Sequence, residues 1–261
     1  MNKQVEEILK KPNFLEEYIV KTSGDYTVYV CGSILEGFGN EKSDVDVYVL
    51  LDELPSELGE EGRIRKNKDN VIHNILFDNY RLDIEYWTIE KLSKLQNVIN
   101  QFELDGDTIK LSEDEIDFIH RIKYAIPVIN KDLFKLLEQK IDFDKFDKAL
   151  LVKQINLYQS SVEDVEGCLE SEDLYTAIMT SRLALDRSID SLLCSKGETN
   201  PRVKWRLRKL MRAFGENSNI FKEYLSLQEI PEIHKTAVEE YVDRVLTLCS
   251  ELIITAQQEM R

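Results

Sequence analysis

Cysteine is scarce and scattered in this chain: Cys31, Cys168, Cys194 and Cys249 are four residues in 261, none near enough to another for the paired spacing of a zinc site. Each lies in an apolar or helical context, so buried, reduced thiols are expected. The histidines, His73, His120 and His234, show no metal-ligand spacing, and none follows an arginine at the short interval that helical ribonuclease toxins use. There is no internal repeat and no low-complexity tract. No apolar run reaches the length of a membrane span, and the opening MNKQVEEILKKPNFLEEYIV lacks the uninterrupted apolar stretch of a signal peptide, so a cytoplasmic protein is expected. Positive charge is in deficit, with 34 basic residues against 49 acidic and a formal charge of -15. Such a field disfavours long-range attraction to nucleic acid or a membrane surface and suits a neutral or cationic partner. A local basic patch can still hold the phosphates of a nucleotide.

What is present belongs to a folded protein. A hydrophobic share of 43% over 261 residues supports one large core or two modest ones. After an N-terminal stretch with helical spacing, interrupted by Pro12, the period changes. YTVYVCG (26–32) and DVDVYVLL (44–51) are β-branched, aromatic runs of strand length, and NVIHNILFDNYRLDIEYW (70–87) reads as a hairpin turning at Asp78, Asn79 and Tyr80. The charged segment between the second strand and the hairpin is expected to be a loop or a short exposed helix. From Thr88 the strand signal fades. Apolar spacing predicts helices over 88–101, 113–124 and 131–141, then over 145–169, 173–196, 202–214, 218–227 and 231–259. The shift from mixed to wholly helical places a domain boundary after residue 141, giving domains of 1–141 and 142–261.

The chemistry is concentrated in Cys31-Gly32-Ser33-Ile34-Leu35-Glu36-Gly37-Phe38-Gly39, followed by Ser43-Asp44-Val45-Asp46-Val47. A strand ending in Gly-Ser lets backbone amides approach phosphate oxygens, and the serine hydroxyl and the start of a following helix add donors. Asp44 and Asp46 stand two apart on a strand, so both leave one face while Val45 and Val47 point to the core. Carboxylates so close repel unless a cation sits between them. Magnesium suits hard oxygen ligands and commonly takes one or two carboxylates, with phosphate oxygens and water completing its shell. Asp83, between Leu82 and Ile84 on the hairpin's second arm, can add a third carboxylate, and Glu85 shares its face. D-x-D alone is a weak signal that a solvated edge strand would also give; joined to Gly-Ser and a third acidic strand it points to one site.

The order Gly-Ser, short spacer, Asp-x-Asp on a strand and a later apolar-Asp-apolar strand resembles the nucleotidyltransferase superfamily of DNA polymerase β, which includes antibiotic-modifying enzymes of the aminoglycoside type. The resemblance covers about residues 26–88, and a helical C-terminal domain is also similar to the antibiotic-modifying branch. It implies an α/β (α+β) catalytic domain with a small mixed sheet followed by an all-α bundle, with the active site in the cleft between them. It implies that Gly32 and Ser33 bind the triphosphate, that Asp44, Asp46 and Asp83 bind one or two magnesium ions, and that Asp83 takes the acceptor proton. Glu85 stays open as a second candidate for that base. The reaction implied is transfer of a nucleoside monophosphate, AMP from ATP as co-substrate, to a hydroxyl of a small-molecule acceptor such as an aminoglycoside, releasing pyrophosphate. A protein or tRNA acceptor, as in a toxin, is the alternative enzyme. A regulatory module that keeps the cradle without catalysis is a third reading, which the intact carboxylates count against.

A second feature lies in the helical half, where Arg202, Lys204, Arg206, Arg208, Lys209 and Arg212 run without an acidic residue. Lys204 and Arg208, at i and i+4, share a helical face and are candidates for contacts to the β- and γ-phosphates. The same run also serves to offset neighbouring acidic helices. Arg182, Asp186 and Asp190 form a polar stripe, and Trp87 and Trp205 suit the core better than a stacking role. The long C-terminal helices leave the oligomeric state open, covering the core being the commoner use of such faces.

Overall fold

The computed structural model describes residues 15–20, 24–59, 62–77, 80–104 and 108–260. The chain divides into two compact units, Met1–Asn100 with Leu111–Asp142, and Gln101–Lys110 with Phe143–Arg261.

The first unit is a six-stranded mixed sheet with helices. After a helical turn, α1 (Leu15–Tyr18), come β1 (Tyr26–Cys31), β2 (Val45–Leu51), β3 (Arg63–Lys66), β4 (Asn70–Phe77) and β5 (Tyr80–Thr88). Then follow α2 (Ile89–Asn100), α3 (Glu113–Lys123), β6 (Ile126–Ile129) and α4 (Lys131–Glu138). The strand order is β3-β4-β5-β2-β1-β6. The β2–β5 pair is parallel and the rest are antiparallel. Two predicted strands and the hairpin arms therefore form where the β-branched alternation put them. The hairpin residues Asp78 and Asn79, and the N-terminal stretch around Pro12, lie outside the described residues.

Two strands depart from the sequence reading. Arg63–Lys66, expected as loop or helix, pairs with β4 as an exposed edge strand, because a partner supplies the ladder that its own composition does not suggest. Ile126–Ile129, between two helices, pairs with β1 at the opposite edge, where Pro127 costs no interior hydrogen bond.

Both faces of the sheet are covered. On one, Val28, Val30, Val45, Val47, Val49, Leu82, Ile84 and Tyr86 pack with Leu15 and Ile19. On the other lies an aromatic stack in which Trp87 and Phe118 have ring centroids 4.2 Å apart, Tyr48 and Phe118 6.2 Å, and Tyr29 and Tyr48 5.3 Å. Each such pair adds about 1 kcal/mol to its area burial. Phe118 comes from α3, whose start is fixed by a capping box: the Ser112 hydroxyl accepts from the Glu115 amide, and the Glu115 carboxylate accepts from the Ser112 amide at 2.7 Å. That cap sets the register with which α3 meets the sheet.

The second unit is helical: α5 (Phe143–Glu170), α6 (Leu174–Ser195), a 3₁₀ turn (Val203–Trp205), α7 (Arg206–Phe214), α8 (Asn219–Ser226) and α9 (Lys235–Glu259). The final helix begins at Lys235 rather than at 231, with His234 as its N-cap. Cys194 and Cys249 are buried and Cys168 is half-buried, all as free thiols. Among the described residues no helix is long and apolar enough to cross a membrane.

Candidate active site

The register of the sheet sets out the site as rows of side chains on one face. Cys31 of β1 is paired with Asp46 of β2, Asp46 with Asp83 of β5, and Asp83 with Asn74 of β4. One row further in, Tyr29, Tyr48, Glu85 and Ile72 stand in line. Directly paired positions send their side chains to the same face, so two acidic residues from adjacent parallel strands meet there. Asp44 lies just before β2, and by alternation shares this face.

The chain reverses at the end of β1 through residues 32–39. The Gly32 carbonyl accepts from the Leu35 and Glu36 amides, each at 3.1 Å, and the Ser33 carbonyl accepts from Phe38 and Gly39 at 2.8 and 2.9 Å. This is a hydrogen-bonded turn and not the start of a regular helix, which corrects the expectation of helical donors beyond Ser33. Among the described residues no backbone carbonyl takes up the Ser33 or Ile34 amides. Gly32 has φ +90°, and a Cβ there would stand 1.9 Å from Asp46 Oδ2 and 2.8 Å from Arg121 Nη1. Glycine is thus required both by the backbone and by the carboxylate behind it.

Three basic or amide groups address the carboxylates. Arg121 of α3 places Nη1 3.1 Å from Asp46 Oδ1 and Nε 3.1 Å from Asp117 Oδ2, with its guanidinium 5.7 Å from the Tyr48 ring centroid. Arg81 places Nε 2.6 Å from Asp44 Oδ1 and donates from Nη2 to the Lys42 carbonyl at 2.6 Å. The Asn74 amide donates to Asp83 Oδ1. Burial pushes the Asp46 carboxyl up to about 6; Arg121 pulls it down, and Asp83 and Glu85 add to the rise. Burial likewise raises Glu85, which accepts from the Trp87 indole and the Asn70 amide, both at 3.2 Å. Asp83 and Glu85 are both half-buried; the Glu85 carboxylate is engaged by two side-chain donors, and Asp83 by the Asn74 amide. One residue along from Arg121, His120 Nε2 lies 3.2 Å from Glu36 Oε1, with both side chains buried, so α3 also ties down the turn.

The fit to a divalent cation follows from these donors. Asp46 and Asp83 are hard oxygen ligands in register, and the glycine opposite leaves Asp46 unobstructed. Two carboxylates with substrate phosphates are a normal magnesium set. The expected third ligand is not gathered with them: among the described residues no three His, Cys, Asp or Glu side chains form a group able to hold a metal, and Asp44 is turned to Arg81.

Lys204 and Arg208 belong to the helical unit and are exposed, Lys204 lying 5.0 Å from the Trp205 ring centroid. Of the rest of that basic run, Arg206 and Lys209 turn inward, while Arg202 and Arg212 are exposed. Arg206 forms a bidentate pair with Asp190, at 2.9 and 2.8 Å, and reaches Asp186 at 2.7 Å. Arg212 pairs with Glu198, and Lys209 is 1% exposed. The acidic stripe of α6 thus holds a cation of its own chain.

Arg121, Arg81, Asn74 and the His120–Glu36 pair escape a sequence reading. For Arg121 there was a signal: at i+3 from Phe118 and beside Ile122, it falls on the buried stripe of an amphipathic helix, where an arginine needs a carboxylate.

A family model described as a nucleotidyltransferase domain matches residues 13–155. Among solved structures, the crystal structure of a nucleotidyltransferase-like protein from Exiguobacterium sibiricum 255-15 superposes with a TM-score of 0.51, at 11% identity, over 97% of this chain and 78% of that one. At that identity the likeness is one of fold. No curated protein matches.

Proposed function

The chain belongs to the nucleotidyltransferase domain family, and on that premise we propose that it transfers a nucleoside monophosphate, AMP from ATP, to the hydroxyl of a small-molecule acceptor and releases pyrophosphate. The observation that carries this reading is the register of Asp46 with Asp83, beside a turn whose Ser33 and Ile34 amides have no backbone acceptor among the described residues.

The residues divide the work by position. The Ser33 and Ile34 amides and the Ser33 hydroxyl bind the triphosphate and orient its α-phosphorus. Asp46 and Asp83 would hold magnesium, with Asp44 joining if its pair with Arg81 opens. When bound, that ion polarises the α-phosphate and steadies the leaving pyrophosphate. Asp83, half-exposed, accepts the acceptor's proton as the hydroxyl oxygen bonds to the α-phosphorus and the bond to pyrophosphate breaks. Glu85 is the weaker candidate for that role, since one of its carboxylate oxygens is already taken by the Asn70 amide and the Trp87 indole. Lys204 and Arg208 are proposed contacts to the β- and γ-phosphates, supported by their exposure, Lys204 on the 3₁₀ turn and Arg208 on α7. Residues 1–141 would form the catalytic domain and 142–261 its helical companion.

The charge of the whole chain, -15, supports an aminoglycoside-like cation among small acceptors and counts against tRNA. The test is transfer of an α-phosphate label from nucleotide to acceptor by the wild type and by Asp83→Asn. Transfer lost in the variant, with nucleotide binding retained, supports the assignment; equal transfer removes Asp83 from the chemistry.

A further inference from the structure

The acceptor's charge class can be read from the part of the sheet it must cross. An in-line displacement puts the attacking hydroxyl and the leaving pyrophosphate on opposite sides of the α-phosphorus. On the reading above, on which this inference rests, pyrophosphate departs toward Gly32 and Ser33. The acceptor then arrives from the other side of Asp46 and Asp83, over β4 and β3.

The rows of the site continue in that direction. Asp83 is paired with Asn74 and Asn74 with Arg63; Glu85 is paired with Ile72 and Ile72 with Arg65. Arg63 and Arg65 therefore lie on the carboxylate face, two interstrand spacings or roughly 10 Å from Asp83 and Glu85. All of β3 is exposed, and among the described residues neither arginine has an ion-pair partner. Arg81, Arg121, Arg206 and Arg212 are each matched to a carboxylate. Charge on an edge strand also discourages pairing with another chain, but either sign serves for that. Here Arg63, Arg65, Lys66 and Lys68 follow one another without an acid, in a chain whose formal charge is -15.

We infer that β3 is the acceptor subsite and that the acceptor is a small hydroxyl compound bearing a phosphate group, held by Arg63 and Arg65. Two arginines at i and i+2 on a strand stand about 6.6 Å apart, and their forks match the oxygens of one phosphate. A compact anion meets only this strip, whereas a long polyanion also meets the acidic surface around it. Net charge favours a cation over the whole molecule; the local field at the point of entry favours the opposite sign.

The experiment is calorimetric binding of a panel of sugar phosphates and their parent sugars to the full chain, saturated with magnesium and a non-hydrolysable ATP analogue that fills the cradle. An aminoglycoside and a short RNA form two further arms. Wild type is expected to bind at least one sugar phosphate and no parent sugar. Arg63→Gln/Arg65→Gln is expected to weaken that binding at least tenfold, with affinity for the analogue unchanged and partial recovery in Arg63→Lys/Arg65→Lys. Binding of the aminoglycoside or RNA alone, no binding by any sugar phosphate, or equal binding by the double Gln variant overturns the inference. Failure of the analogue itself to bind is a different result, and contradicts the nucleotidyl transfer reading.

Discussion

The guanidinium of Arg121 lies 3.1 Å from the carboxylate of Asp46, below a strand whose next acidic neighbour is Asp83. Arg121 also pairs with Asp117, so its removal takes a positive charge away from both carboxylates. Arg121→Ala is expected to destabilise the α/β unit by about 3–5 kcal/mol, the usual cost of breaking a buried pair. Urea unfolding followed by Trp87 fluorescence in a Trp205→Phe background measures it, and a loss below about 1 kcal/mol contradicts the buried pair.

Gly32→Ala should leave a folded chain and a dead site. The added methyl needs an unfavourable φ of +90° and the space occupied by Asp46 Oδ2. The strain is on the order of 1–3 kcal/mol, while displacing Asp46 should lower kcat/KM by a hundredfold or more, since misplacement of about 1 Å costs that much. Circular dichroism with steady-state kinetics separates the two effects.

His120 acts on the turn rather than on the reacting atoms. With His120→Ala, Glu36 loses this contact and the segment after Ser33 loosens. Nucleotide KM should rise roughly tenfold with a smaller change in kcat. Protection of the Ser33 and Ile34 amides by bound nucleotide, followed by hydrogen exchange, should fall in parallel.

The basic run of the helical unit should split by substitution. Arg206→Ala uncovers Asp190 and Asp186 and should cost about 3–5 kcal/mol of stability. Lys204→Ala and Arg208→Ala should stay within about 0.5 kcal/mol of wild type and raise the nucleotide KM. If both leave KM unchanged, these two side chains do not touch the phosphates.

How much of this was legible in the sequence follows from what each residue's neighbours in the chain reveal. DVDVYVLL declares its two faces because acid and valine alternate, and the hairpin declares Asp83 between leucine and isoleucine. Arg63–Lys66 does not, because its strand character comes from pairing with β4 and not from β-branched side chains. The inward turn of Arg206 depends on Asp190, on a different helix, and the sequence shows only that both residues are charged. The pair Arg81–Asp44, which turns away the third expected ligand, joins residues 37 positions apart.

Acid should weaken metal binding. The Asp46 carboxyl stands at about 6, above its ordinary 3.8, so protons and metal compete for it in that range. Manganese affinity should be level above about pH 6 and fall by up to tenfold per unit below it. In the metal-free protein the sign for stability is the reverse: this group's contribution is full below pH 3.8 and is lost as pH rises through about 6. Titrating manganese by electron paramagnetic resonance at several pH values reads the first, and unfolding of wild type against Asp46→Asn reads the second.

The measurement that bears most directly on the site is magnesium-dependent pyrophosphate release from each of the four ribonucleoside triphosphates, with an acceptor panel that spans cationic, neutral and phosphorylated hydroxyl compounds. Release that requires one nucleotide, one acceptor, Asp46 and Asp83, and that Asp46→Asn and Asp83→Asn abolish while the chain stays folded, is the predicted result. Nucleotide binding without release from any acceptor in the panel, or release that survives both substitutions, contradicts it.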